Sequence, residues 1–183
     1  MEIIDKVLTD AIILKPRVFK DDRGYFYESF NERMFKSLSG IEVNFIQDNQ
    51  SYSSKGTLRG LHFQKGAAAQ AKLVRVTRGA AYDVAVDLRP RSPTFKQWYG
   101  VELSEENHLQ FFIPRGFAHA FVALEDHTIF QYKVDNYYSS INDGGVIWND
   151  EELNITWPEL KLELSDKDKS LPKLNQLDIS MLF

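Results

Sequence analysis

The chain has 183 residues, a formal net charge of -4, 43% hydrophobic and 13% aromatic content, and no cysteine. That is about one domain's worth of chain with ample material for a core, and its interspersed charges lack the basic block that would track a nucleic acid. Without cysteine there is no disulfide framework, no thiolate nucleophile and no cysteine-based zinc site.

The first segment, MEIIDKVLTDAIILKPRVFKDD, lacks a basic n-region and an apolar stretch of signal-peptide length, and no run of about 18 apolar residues occurs. A cytoplasmic protein with no membrane partner is the expectation. In chain order, the first strands are expected at AIILKPRVF (11–19) and YFYESF (25–30), separated by the turn residues DDRG (21–24). A helix follows at NERMFKSLSG (31–40): Asn31 can cap its start, Met34, Phe35 and Leu38 give a helical stripe, and Gly40 can end it. Short strand-like runs then dominate: VNFIQDNQSY (43–52), TLRGLHFQ (57–64), KLVRVTRG (72–79), AAYDVAVDLR (80–89) and QWYGVELS (97–104). LQFFIPRGFAHAFVAL (109–124), TIFQYKVDNYY (128–138) and GVIWND (145–150) continue the series, with turn chemistry at RG (78–79), RPRSP (89–93) and NDGG (142–145). This is the pattern of an antiparallel sandwich or barrel. A second helical turn is expected in SDKDKSLPKL (165–174), capped by Ser165 and stopped by Pro172. No repeat or linker divides the chain, so a single all-β domain over 1–183 with one or two short peripheral helices is predicted.

Of the histidines, His62 and His119 fall in apolar strand contexts, whereas His108 and His127 have polar or acidic neighbours such as Asn107 and Asp126. A histidine among apolar residues is either a hydrogen-bonded core residue or a functional group; its ordinary pKa of about 6.5 suits it to take a proton near neutrality. Lys72 opens the strand KLVRV, where an ammonium can stabilise an oxyanion or simply guard a sheet edge. Tyr132 in IFQYKV is a core tyrosine or a proton donor from another strand. Asp83 and Asp87 in YDVAVDL share a face by period 2 and can orient a histidine or an arginine. Arg23, in a turn, and Arg59, in the strand of His62, are either solvated charges or two guanidiniums converging on a diphosphate. In a regular strand residues 59 and 62 point to opposite faces. A shared site therefore requires a kink, and Gly60 is its natural place.

IPRGFAH (113–119), with the spacing P-x-G-x-x-H, and the glycine-to-histidine segment some fifty residues earlier resemble the two half-motifs of the cupin barrel. Metal-binding cupins read H-x-H in the first half-motif; here Gln64 stands two after His62, so that ligand set is incomplete and no metal is expected. Taken together, VFKDDRGYFYESFN, FIQDNQSYSSKGTLRGLHFQ, QAKLVRVTRG, DVAVDLRPRSPTF, FIPRGFAHAF and YKVDNYY resemble the dTDP-4-dehydrorhamnose 3,5-epimerase family, over about residues 1 to 180. The resemblance implies a cupin jelly roll, a homodimer, and a nucleotide-sugar substrate in which a 4-keto-6-deoxyhexose is joined to a nucleoside diphosphate. The carbons beside the ketone would lose a proton and regain it on the opposite face, with no external cofactor.

Residue by residue, the resemblance implies His62 as the base and Asp168 in SDKD as the carboxylate that orients it. Lys72 would hold the enolate oxygen, and Tyr132 matches the acid that returns a proton from the far face. Arg23, Glu28, Gln47, Asn49, Arg59 and His119 match contacts to nucleotide, diphosphate and sugar; Gln47 and Asn49 share a strand face by period 2. Tyr138 resembles the residue that stacks on thymine, Asp143 stands at an acidic position, and Lys167 matches a basic contact beside Asp168. Asp83 is read as support behind these. The rival readings are a relative that inverts only one carbon or isomerises the ketosugar, a non-catalytic cupin that binds a sugar nucleotide, and a metal-dependent cupin enzyme.

Overall fold

In KLVRVTR, two-residue alternation sends Val74 and Val76 into one apolar cluster and Leu73 into another on the opposite face of strand β7 (Lys72–Arg78). The computed structural model describes residues 1–179 and 182; positions 180, 181 and 183 of the expected 1–183 domain lie outside the described residues. Among the described residues, β7 belongs to a six-stranded sheet with β1 (Glu2–Val7), β2 (Ala11–Lys15), β5 (Gln47–Ser53), β10 (Gln110–Ile113) and β12 (Thr128–Val134), in the order β1-β2-β10-β7-β12-β5. A five-stranded sheet combines β6 (Leu58–Gln64), β8 (Ala80–Asp87), β9 (Trp98–Ser104), β11 (Phe117–Ala123) and β13 (Asp143–Gly145), in the order β13-β6-β11-β8-β9. Outside both, β3 (Phe19–Asp21) and β4 (Gly24–Phe26) pair as a hairpin.

The sheets face each other across a core in which Val74, Phe111 and Phe130 of the larger meet Ala85, Leu103 and Phe121 of the smaller. Phe121 and Phe130 stack with ring centroids 4.1 Å apart; burying a side chain of this kind is worth about 1.5–3 kcal/mol. The outer face of the smaller sheet is covered by the C-terminal segment through Leu153, Leu174 and Trp157. The outer face of the larger one receives Phe35 from helix α1 (Glu32–Ser39), against Ile12, Leu14 and Phe112. The result is the expected all-β jelly roll, built as two open sheets and not a closed barrel, with α1 and the short α2 (Asp166–Lys169) at its periphery.

Both helices start as their sequences demand and α1 stops at its glycine, while α2 ends at Lys169, short of Pro172. Asn31 Oδ1 accepts from Met34 N at 3.0 Å, Gly40 ends α1 with φ 73, and Ser165 caps α2. Of the expected stripe only Phe35 is buried, while Met34 and Leu38 remain exposed.

Several strand expectations are corrected: YFYESF keeps only Tyr25 and Phe26 in β4, VNFIQDNQSY enters its strand only at Gln47, and TIFQYKVDNYY leaves its strand after Val134. AIILKPRVF breaks at Pro16, which has no N–H to give a ladder, and its tail joins the β3–β4 hairpin instead. LQFFIPRGFAHAFVAL is two strands: at Pro114, Arg115 and Gly116, with φ 87 at the glycine, the chain passes from the larger sheet to the smaller. GVIWND pairs only at its start, because the ladder lies upstream at Asp143–Gly145. No helix among the described residues is long and apolar enough to cross a membrane.

Candidate active site

Strand β6 contributes the first two groups. Between the pairs His62–His119 and Arg59–Phe121, β6 carries one residue more than β11, and the irregularity lies at Gly60, whose φ is 128. A Cβ on Gly60 would sit 2.4 Å from Ala120 Cβ and 2.6 Å from His119 O, so the close approach of β6 and β11 requires glycine. The extra residue reverses strand parity. Arg59 and His62 consequently line one cavity of about 350 Å³.

Lys72, His119, Tyr132, Tyr138, Asp143, Lys167 and Asp168 line the same cavity. His62 Nε2 donates to Asp168 Oδ1 at 2.6 Å. Asp168 is buried and fixed by the start of α2, where its N–H donates to Ser165 Oγ at 3.1 Å. Burial pushes the His62 imidazole below its ordinary 6.5; Asp168 opposes the shift, and Lys72 and Lys167 reinforce it. The ring is therefore neutral near neutral pH, and with Nε2 donating, Nδ1 is the nitrogen free to accept a proton.

Lys72, at the start of β7, has its ammonium pushed down from 10.5 to about 8 by burial, with Asp83 and Asp143 holding it up. Tyr132 reaches in from β12; burial raises its phenol above 10.0 against the pull of Arg59, so it keeps its proton. His119 Nε2 donates to Asp83 Oδ2 at 2.8 Å, and both side chains are buried. Burial lowers His119 and raises Asp83, whose other oxygen has no hydrogen-bond partner among the described residues. Arg59 is steadied by Ser53 Oγ at 3.2 Å and Tyr52 O at 3.3 Å. Lys167 Nζ donates to Asp143 Oδ2 at 2.5 Å, which raises the ammonium above its ordinary value.

Four of the expected contacts are not brought into this cavity. Arg23 sits in the β3–β4 turn, bonded to Asp21 and 90% exposed, and Glu28 is exposed just beyond the hairpin. Gln47 and Asn49 do share a strand face, with Gln47 Nε2 donating to Asn49 Oδ1 at 2.9 Å. Asn49, however, lines a neighbouring polar cavity of about 360 Å³ that meets the first at Tyr132, its partner in the β5–β12 ladder.

Gln64, Ser51 and Phe121 line the first cavity and were not expected there. Sequence reasoning treats Gln64 only as an absent metal ligand, yet period 2 from His62 places it on the same face. The same step from Asn49 leads to Ser51. Among the described residues no group of three or more His, Cys, Asp or Glu is placed to hold a metal ion. His62 and His119, partners in the β6–β11 ladder, each engage a carboxylate of their own.

A cavity with a neutral imidazole held by a carboxylate, a lysine of lowered pKa and a protonated phenol can move protons at carbon beside a carbonyl. Comparison with known proteins points the same way. The profile of the family described as dTDP-4-dehydrorhamnose 3,5-epimerase matches residues 5–176. The curated dTDP-4-dehydrorhamnose 3,5-epimerase of Escherichia coli is 54% identical over 97% of this chain and 96% of its own. The crystal structure of the Bacillus anthracis dTDP-4-dehydrorhamnose 3,5-epimerase with TDP and PPi bound is 56% identical, with a TM-score of 0.92 over 94% of this chain and 99% of that one. The Legionella pneumophila dTDP-6-deoxy-D-glucose-3,5-epimerase, solved in complex with dTDP-4-keto-L-rhamnose, is 44% identical, with a TM-score of 0.95 over 99% and 96% of the two chains.

Proposed function

The chain belongs to the dTDP-4-dehydrorhamnose 3,5-epimerase family, and we propose that its His62 is the base of a cofactor-free double epimerisation. The enzyme inverts C3 and C5 of dTDP-4-keto-6-deoxy-D-glucose, giving dTDP-4-keto-L-rhamnose for dTDP-L-rhamnose synthesis. In the proposed course, His62 Nδ1 takes the proton from a carbon beside the C4 ketone while Asp168 supports the imidazolium that forms. The electron pair of the broken C–H bond moves onto the ketone oxygen, where the Lys72 ammonium stabilises the enolate. Tyr132 then gives its phenolic proton to the carbon from the opposite face as the ketone re-forms; the His62 imidazolium releases its proton to solvent and the tyrosinate regains one, which readies both groups for the second carbon. No electron is gained or lost overall, so no redox group is called for.

The observation that carries this reading is the His62–Asp168 bond of 2.6 Å facing a cavity that also holds Lys72 and Tyr132. Arg59 and His119 are assigned to the diphosphate and sugar, Tyr138 to the base, and Asp143 and Lys167 to the substrate beside it. A catalytic domain spanning 1–183 acts as a homodimer in this proposal. Arg23, in the hairpin, and Glu28, just beyond it, would serve the partner's cavity, since the hairpin stands outside both sheets and presents exposed Phe19, Tyr25 and Phe26.

The test is proton NMR of dTDP-4-keto-6-deoxyglucose in heavy water. Deuterium entry at C3 and C5, abolished in His62→Ala, is the expected result. Entry at one carbon would mean a single-site epimerase, and tight binding without exchange would mean a binding protein.

A further inference from the structure

Gln64 is 5% exposed and both ends of its side-chain amide are occupied. Its Oε1 accepts from Ser139 N at 2.8 Å, and its Nε2 donates to Asp143 Oδ1 at 3.1 Å. The backbone repeats the connection, for Asp143 pairs with Gln64 in the β13–β6 ladder and Lys65 N donates to Asn142 O at 2.8 Å. The second oxygen of Asp143 holds Lys167, whose neighbour Asp168 holds His62, and His62 lies on the strand of Gln64. A closed circuit of contacts thus runs from the base through Gln64, Asp143 and α2 back to the base. The exposed Tyr138 precedes Ser139 directly, so whatever fixes the Ser139 N–H fixes the ring's point of attachment.

We propose that Gln64 is a positioning residue for substrate binding: its amide clamps the loop of Tyr138 and Asp143 to the strand of the base, presetting the tyrosine for a nucleotide base. The inference rests on the reading of Tyr138 as the stacking residue. An amide suits the task because it both accepts from the main chain and donates to a carboxylate without adding charge beside His62. A glutamate at the same place would still accept from Ser139 N but would face Asp143 as a like charge.

The experiment compares Gln64→Met, Gln64→Glu, Tyr138→Ala and the Gln64→Met/Tyr138→Ala pair, measuring kcat, KM and calorimetric binding of dTDP alone. In Gln64→Met the KM and the dTDP dissociation constant should both rise about 10-fold with kcat within about 3-fold of the parent. Gln64→Glu, nearly the same in shape, should move both in the same direction. Once Tyr138 is gone the clamp has no ring to preset and only Asp143 left to hold, so the double variant should bind dTDP within about 3-fold of Tyr138→Ala, well short of additive losses. Unchanged dTDP binding with a fall in kcat alone, or fully additive losses in the double variant, would overturn the assignment. Absence of turnover in the unaltered protein would instead sink the proposed reaction, a different outcome from either.

Discussion

His62 and Lys72 are bases that burial holds below their ordinary values, and the proposed reaction asks opposite charge states of them. The proton acceptor must start neutral and the oxyanion holder must start charged. In the free enzyme kcat/KM should rise with pH through a value below 6.5 as His62 loses its proton, then fall near about 8 as Lys72 loses its own. Lys72→Gln should remove the upper limb and lower kcat by about 10²–10³-fold; a limb persisting near the same pH would assign it to another group. For stability the same shift works in reverse. Below about 8 the folded protein keeps Lys72 charged against burial, and between about 8 and 10.5 it has released a proton that the unfolded chain still binds, so the penalty is relieved as pH rises. Lys72→Met should therefore raise the thermal midpoint at neutral pH while suppressing turnover, with the gain shrinking as pH approaches 10.5. Tyr132 makes a separate prediction, because it donates only after the C–H bond is broken. Tyr132→Phe should still exchange deuterium into the substrate but return it on the original face; loss of exchange together with inversion would place Tyr132 in the first proton transfer.

At the scale of the element, β6 ties fold to chemistry through one backbone position. Gly60→Ala would force a Cβ to 2.4 Å from Ala120 Cβ at a φ of 128, and overpacking of this kind costs about 1–3 kcal/mol before backbone strain is added. For a chain of this length that is a fall in thermal midpoint of about 2–4 °C per kcal/mol. Exchange activity should drop further than the lost stability explains, because β6 carries both Arg59 and His62; a variant that melts lower yet retains parental kcat would uncouple the kink from the site. This kink was legible from the sequence, since Arg59 and His62 have opposite parity unless a residue is inserted between them. Other elements were not legible, for equally local reasons. LQFFIPRGFAHAFVAL is apolar on both faces of both its strands, so no change of period marks the passage between sheets. β1 is an exposed edge strand carrying Glu2, Asp5 and Lys6, with no apolar alternation to identify it.

At the scale of the whole molecule, the cavity draws on both sheets and on α2, and Asp168 lies 106 residues from His62 along the chain. No local pattern joins two such residues; only the resemblance to a family pairs them from sequence. The same reasoning extends beyond one chain. The β3–β4 hairpin belongs to neither sheet and exposes Phe19, Tyr25 and Phe26 at 52%, 55% and 70%, a concentration of apolar surface suited to another subunit. If that subunit is a second copy, Arg23 of each chain would reach its partner's diphosphate, and the two defects Arg23→Ala and His62→Ala would fall in different sites when the chains are mixed. Each variant alone should be poor at low substrate. After co-expression in equal amounts half the dimers would be mixed, and one of the two sites in each would carry both native groups, restoring about a quarter of parental activity. If Arg23 served its own cavity, every mixed dimer would keep one defect in each site and no activity would return, so the recovered fraction decides whether the hairpin is exchanged.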